Sequence, residues 1–289
     1  MQKVLARRDE NWKKLQQYIL DERQQIDVRG PANFPIWGEH RDFSWYIRDG
    51  YFVQSPVKIN GATVAEADRR KYEDDFLRRA KARDKRATRG QPEPSSTAPA
   101  PDEAPEDVSA LLQQTRQPAF IDSAYFLRFK FEQGNYALVG RESFNGRDVL
   151  RIEYYPERLF SHEQDAQRRR QQQGTSDRGK DVAARTEQMM NKVSLVTLWV
   201  EPQAFQIVKY TFANVSFDFL PAAWLLRVND ANASMVMSQP FKDVWLPDNV
   251  EMHITAMLAV GAVDVRYRLD YHDYKQADAS GRIKRSEGR

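Results

Sequence analysis

Between Val250 and Tyr274 apolar and polar residues alternate almost without interruption. Val250, Met252, Ile254, Ala256 and Leu258 are interleaved with Glu251, His253, Thr255 and Met257. After Gly261, Val263, Val265, Tyr267, Leu269 and Tyr271 are interleaved with Asp264, Arg266, Arg268 and Asp270. Period-two alternation of this length predicts an antiparallel hairpin with one buried and one wet face. Turned about Val260-Gly261, the pattern sets Leu258 opposite Val263, Ile254 opposite Tyr267 and Val250 opposite Tyr271.

The same signal recurs upstream. Phe43, Trp45 and Ile47 alternate with Ser44, Tyr46 and Arg48, and Asp49-Gly50 predicts a tight turn into Tyr51, Phe52 and Val53. Tyr125, Leu127, Phe129 and Phe131 form another alternating run, ended by Gly134-Asn135. The segments 136–144 and 147–155 flank Asn145-Gly146, and a two-residue turn there pairs Val139 with Ile152 and Ala137 with Tyr154. Further strands are read at 193–200, 206–212, 215–219 and 234–239, and Trp245-Leu246-Pro247 leads into the last hairpin. About ten strands joined by such turns predict a mainly β fold with flanking helices, a large curved antiparallel sheet or barrel.

Two segments read as helices. In 2–26, Leu5, Trp12, Ile19 and Ile26 recur every seven residues with Leu15 between them. The stripe is too short for a sustained coiled coil, so a helix laid on the sheet is expected. Thr63 and Glu66 have capping-box spacing and open a charged helix to about Arg86, with Glu66/Arg70, Asp74/Arg78 and Asp75/Arg79 as i,i+4 pairs. Its basic end, Arg83, Lys85 and Arg86, complements the helix dipole or touches anionic lipid or nucleic acid.

These elements divide the chain. Residues 1–86 are expected to belong to the same β domain as 108–275. Residues 87–107, rich in proline and without a large aliphatic or aromatic side chain after Ala87, are expected to be a disordered linker. A polar helical insertion with Arg168-Arg169-Arg170 is read at 156–192, and a disordered polar tail at 276–289.

Composition removes several function classes. The net charge of +3, from 44 basic and 41 acidic residues, lacks the basic surplus of a nucleic-acid binder. With no cysteine, disulfides, thiolate metal sites and thiol catalysis are excluded. No apolar run is long enough to form a transmembrane helix. The first twenty residues are charged throughout, so an exported protein is expected to have lost its signal segment. His253 and His272 in the last hairpin, with Glu251, Asp270 and Asp273 nearby, have the donor types of a two-His, one-carboxylate site. The register above sets His253 opposite Arg268, a poor setting for a cation, so no metal is assigned. No nucleophile elbow, P-loop or dinucleotide fingerprint is present, and no catalytic residue or cofactor is assigned. Instead the strands are rich in aromatic and methionine side chains. Phe129, Phe131, Trp199, Phe212, Trp245 and Met252 are the candidates for lining an apolar ligand cavity; the alternative is that they form a filled core.

A family resemblance sharpens this. Gly140-Arg141-Glu142-Ser143-Phe144-Asn145-Gly146-Arg147-Asp148-Val149-Leu150, then Leu198-Trp199-Val200-Glu201-Pro202 followed by Ile207-Val208-Lys209-Tyr210, then Val244-Trp245-Leu246-Pro247, follow one another on successive strands behind an N-terminal helix. This order resembles the bacterial outer-membrane lipoprotein-sorting superfamily. The likeness covers roughly 120–275 and, more weakly, 1–60. It implies an open half-barrel lidded by helices, located in the periplasm or envelope, that binds a lipid chain or lipidated protein and is not an enzyme. The alternative is an envelope interaction module with a solid core, acting through its helical segments.

Overall fold

The computed structural model describes residues 1–15, 17–88, 129, 131, 134–156, 193–215, 227–258 and 261–276. Helix α1 (Gln2–Leu15) precedes β1 (Tyr18–Arg29), β2 (Pro35–Arg48), β3 (Tyr51–Ile59) and the short β4 (Ala62–Thr63). Helix α2 (Glu66–Thr88) follows, and then β5 (Gly134–Phe144), β6 (Arg147–Pro156), β7 (Val193–Glu201) and β8 (Gln206–Val215). The chain ends its sheet with β9 (Arg227–Phe241), β10 (Val244–Leu258) and β11 (Gly261–Gln276). All eleven strands form one antiparallel sheet in the order β4-β3-β2-β1-β11-β10-β9-β8-β7-β6-β5. Every neighbour is a chain neighbour except at the β1–β11 seam, which joins the first strand to the last. The sheet is open, with β4 and β5 at its edges. The linker beyond Thr88, the insertion beyond Pro156, the strand read at 215–219 beyond Val215, and the tail beyond Gln276 lie outside the described residues.

The turns follow from their residues. Asp49-Gly50 and Asn145-Gly146 each supply two consecutive positive φ angles, 52° and 78°, and 51° and 75°, as a two-residue hairpin turn requires. Arg48 accordingly pairs with Tyr51, and Phe144 with Arg147.

Several expectations are corrected. The helix read over 2–26 ends at Leu15, and Tyr18–Arg29 is strand β1. Tyr18, Leu20, Glu22, Gln24, Ile26 and Val28 all point to its buried face, and the two polar residues among them conceal the alternation. The last hairpin pairs Ile254 with Val265, Met252 with Tyr267 and Val250 with Leu269. This is a two-residue shift from the expected register. A shift of two keeps every side chain on its face, so hydrophobic patterning cannot distinguish the two registers. In β5–β6 the expected register holds next to the turn, but Val139 is an extra residue there. Beyond that bulge Leu138 faces Ile152 and Tyr136 faces Tyr154. Thr63 lies in β4, and α2 starts at Glu66. The Glu66–Arg70 pair forms, but Asp75 meets Arg78 at 2.8 Å and Asp74 meets Arg48 of β2 at 2.7 Å. Phe129 and Phe131, read as strand residues, are not in a strand. They lie over the sheet, where aromatic contacts hold them.

Candidate functional site

Cross-strand pairing builds the apolar face in rows. One row runs Tyr136, Tyr154, Val196, Phe212, Ala233, Met252, Tyr267, Ile26 and Glu39, one residue from each strand from β5 to β2. Its members from Tyr154 to Ile26 are apolar and buried across seven strands, β6 through β11 to β1. A parallel row runs Ile152, Leu198, Tyr210, Met235, Val250, Leu269, Gln24 and Arg41. Such rows arise because alternation sends every second side chain to one side, and neighbouring strands keep those side chains about 5 Å apart.

Both rows turn polar at β1 and β2. Glu22, buried to 2% exposure, accepts from Gln24 Nε2 at 2.5 Å, Trp45 Nε1 at 2.7 Å and Gln54 Nε2 at 3.0 Å. Tyr72 of α2 donates to Gln54 Oε1 at 2.9 Å. Burial, ahead of any charge effect, raises the Tyr72 phenol to about 12, so it remains a donor. Beside this network Arg41 Nη2 and Glu39 Oε2 form a buried ion pair at 2.7 Å. Sequence reading missed the network. The available signal was Glu22 and Gln24 at the even positions of an otherwise apolar run.

Over the middle of the face lie α1 and the two phenylalanines. The Phe129 ring meets Phe131 at 4.9 Å and Phe212 at 5.1 Å, and Phe131 meets Tyr154 at 5.1 Å, all edge-on. Helix α1 packs against β8 and β10. Among its described side chains Val4, Arg8, Asn11 and Leu15 are buried, at helical spacing, and two of these are polar. Arg8 Nη1 donates to the Phe129 carbonyl at 2.5 Å, and its guanidinium sits 5.2 Å from the Phe131 ring centre. Asn11 Nδ2 donates to Gln206 Oε1 at 2.9 Å, while Asn11 Oδ1 is buried without a partner. Of the expected stripe Leu15 is buried and Leu5 partly so, while Arg8 and Asn11 are polar residues that a hydrophobicity pattern passes over.

Phe129, Phe131, Phe212 and Met252 are thus brought to one face. Trp245 is buried on β10 with the Arg147 guanidinium 4.8 Å from its ring centre. Trp199 stands on the opposite face from Leu198 and Val200. There Lys209 Nζ is 4.8 Å from its ring centre, and its Nε1 donates to Glu142.

The wet face holds His253 and His272. His253 pairs in register with Arg266, not Arg268, and its Nε2 contacts Asp264. His272 instead groups with Asp21 across the β1–β11 seam and with Asp273, at a bulge where Asp273 has φ 54°. One ligand atom from each of these three lies within 4.8 Å of the others, a donor set that suits a divalent cation. His253 is not part of this group.

The sheet resembles known structures. A domain described as an outer-membrane lipoprotein-sorting protein from Vibrio parahaemolyticus aligns over 94% of this chain and 91% of its own at 11% identity, with a TM-score of 0.36. A LolA superfamily protein from Nitrosomonas europaea aligns over 96% and 93% at 14% identity, with a TM-score of 0.31. A DUF1329 family protein from Desulfovibrio piger aligns over 96% and 91% at 8% identity, with a TM-score of 0.36. No family model and no curated protein matches the chain. Among the described residues no helix is long and apolar enough to cross a membrane.

Proposed function

We propose that the protein is a non-enzymatic carrier of the periplasm or cell envelope that takes a lipid acyl chain, or a lipidated protein, onto the apolar face of its sheet. The observation that carries this reading is a mismatch between the face and its cover. Seven strands present an unbroken apolar row, and the helix laid over β8 and β10 buries Arg8 and Asn11 against it. An unpaired buried oxygen such as Asn11 Oδ1 costs about 1–3 kcal/mol. A helix held this way is easier to lift than one with an aliphatic stripe. An acyl chain would replace it with better-matched contacts. Met235, Met237 and Met252, with their flexible side chains, suit a ligand of variable shape.

A second reading, an envelope interaction module with a solid core, is supported by the completeness of burial. Phe212 and Met235 are both 0% exposed. Binding of a fluorescent fatty-acid probe, measured beside urea unfolding, separates the two. The carrier reading expects wild type to bind. It expects Phe131→Ala and Met252→Ala each to weaken binding by about tenfold. It also expects half-buried Phe131 to lose less than ~2 kcal/mol of stability on truncation. No binding by wild type, with every aromatic truncation costing about 3–5 kcal/mol, would replace the carrier with the solid-core module.

A further inference from the structure

The two ends of the sheet differ in their connections. At one end these are short: Asp49-Gly50, Asn145-Gly146, Lys242-Asp243 and the turn from Pro202 to Phe205, with Phe205 41% exposed and Phe241 37% exposed. At the other end β1 passes to β2 through Gly30-Pro31-Ala32-Asn33-Phe34, beside the β10–β11 connection.

The Gly30–Ile36 loop is built to hold its apolar residues outward. Ala32 and Asn33 both have positive φ, 54° and 64°, which reverses the chain within the loop. Gly30 N donates to the Phe34 carbonyl at 2.8 Å and fixes that reversal. A Cβ on Gly30 would lie 3.0 Å from Ile36 Cδ1, so a larger residue there would have to displace the end of the Ile36 side chain. Phe34 is left 68% exposed and Ile36 41% exposed. Pro31 and Pro35 beside them are exposed as well.

Charge names the surface this loop fits. Arg29 stands at its base, in register with Asp264; it donates from Nη1 to Asn33 Oδ1 at 3.3 Å, and its Nε is buried without an acceptor among the described residues. No carboxylate of the described residues pairs with it. Area decides between a protein and a lipid partner. Phe34 and Ile36 expose on the order of 200 Å² between them, against ~800 Å² per partner in a stable protein interface. A bilayer sets no such threshold: apolar side chains enter below the headgroups while a cation stays among the phosphates. We propose that this end of the sheet docks on an anionic lipid bilayer, with Phe34 and Ile36 inserted and Arg29 at the phosphate level. Docking is independent of whether the apolar face carries lipid.

The test is co-sedimentation of the full chain with vesicles of phosphatidylglycerol and phosphatidylethanolamine, and with phosphatidylcholine vesicles as the neutral case. Wild type is expected to sediment with the anionic vesicles. Phe34→Asp is expected to reduce that partition by about tenfold or more. Arg29→Gln should lower binding to anionic vesicles alone. Phe205→Asp alters an apolar residue of similar exposure, 41%, at the opposite end and should change nothing. Urea unfolding and sizing chromatography accompany each variant. The docking proposal fails if wild type stays in the supernatant or Phe34→Asp binds as wild type does. It also fails if Phe34→Asp splits a dimer without altering vesicle binding, which would assign the loop to a second copy. Fatty-acid probe binding without vesicles should be unchanged in Phe34→Asp. A protein that binds vesicles but no probe keeps the docking and loses the carrier; the opposite result does the reverse.

Discussion

Truncating Phe212 to Ala is expected to lower the free energy of unfolding by about 3–5 kcal/mol. The side chain is 0% exposed, edge-on to Phe129 at 5.1 Å and stacked with Tyr210 at 6.5 Å. It is also central to the longest apolar row, between Val196 and Ala233. The helix and the two phenylalanines above it are held by other contacts, so the gap would not collapse fully. Urea titration with an unchanged m-value checks the magnitude. A loss below ~1 kcal/mol would mean that the space over β8 is not packed as described.

Replacing Glu22 by Leu is the second large effect. Two buried donors, on Gln24 and Gln54, and the indole N–H of half-buried Trp45 would lose their acceptor at once. Each unmet donor costs about 1–3 kcal/mol, so a loss of roughly 3 kcal/mol or more is expected. Glu22→Gln keeps one acceptor oxygen and nearly the same volume, and should cost clearly less. Removing a buried carboxylate can be neutral when its surroundings are apolar; here they are donors, which fixes the sign. If Glu22→Leu unfolds at the wild-type urea midpoint, the network does not hold β1 to β2 and β3 in solution.

How much was legible depended on where polar residues fall. Strands β10 and β11 alternate cleanly because their polar residues, Glu251, Arg266 and Arg268 among them, lie on the wet face. Strand β1 hides its alternation because Glu22 and Gln24 occupy buried positions, and a seven-residue spacing of Leu5, Trp12, Ile19 and Ile26 imitated one long helix. Hairpin turns were readable from Asp-Gly and Asn-Gly, but the Val139 bulge was not, since an extra residue leaves no compositional mark. Phe129, Phe212 and Met252 could be identified as apolar; their meeting on one face depends on long-range pairing. A helix laid on the sheet was readable, but only Leu15 of its buried residues was. Its buried stripe includes Arg8 and Asn11, which any hydrophobicity pattern assigns to solvent.

The central claim is that an acyl chain can take the place of α1 on the apolar face. Native mass spectrometry of protein purified gently from cell envelopes tests it most directly. The account predicts a population heavier than the bare chain by the mass of a lipid, removed by organic extraction and reduced in Met252→Ala. A single species at the bare mass, unchanged after incubation with phospholipid vesicles, would contradict it.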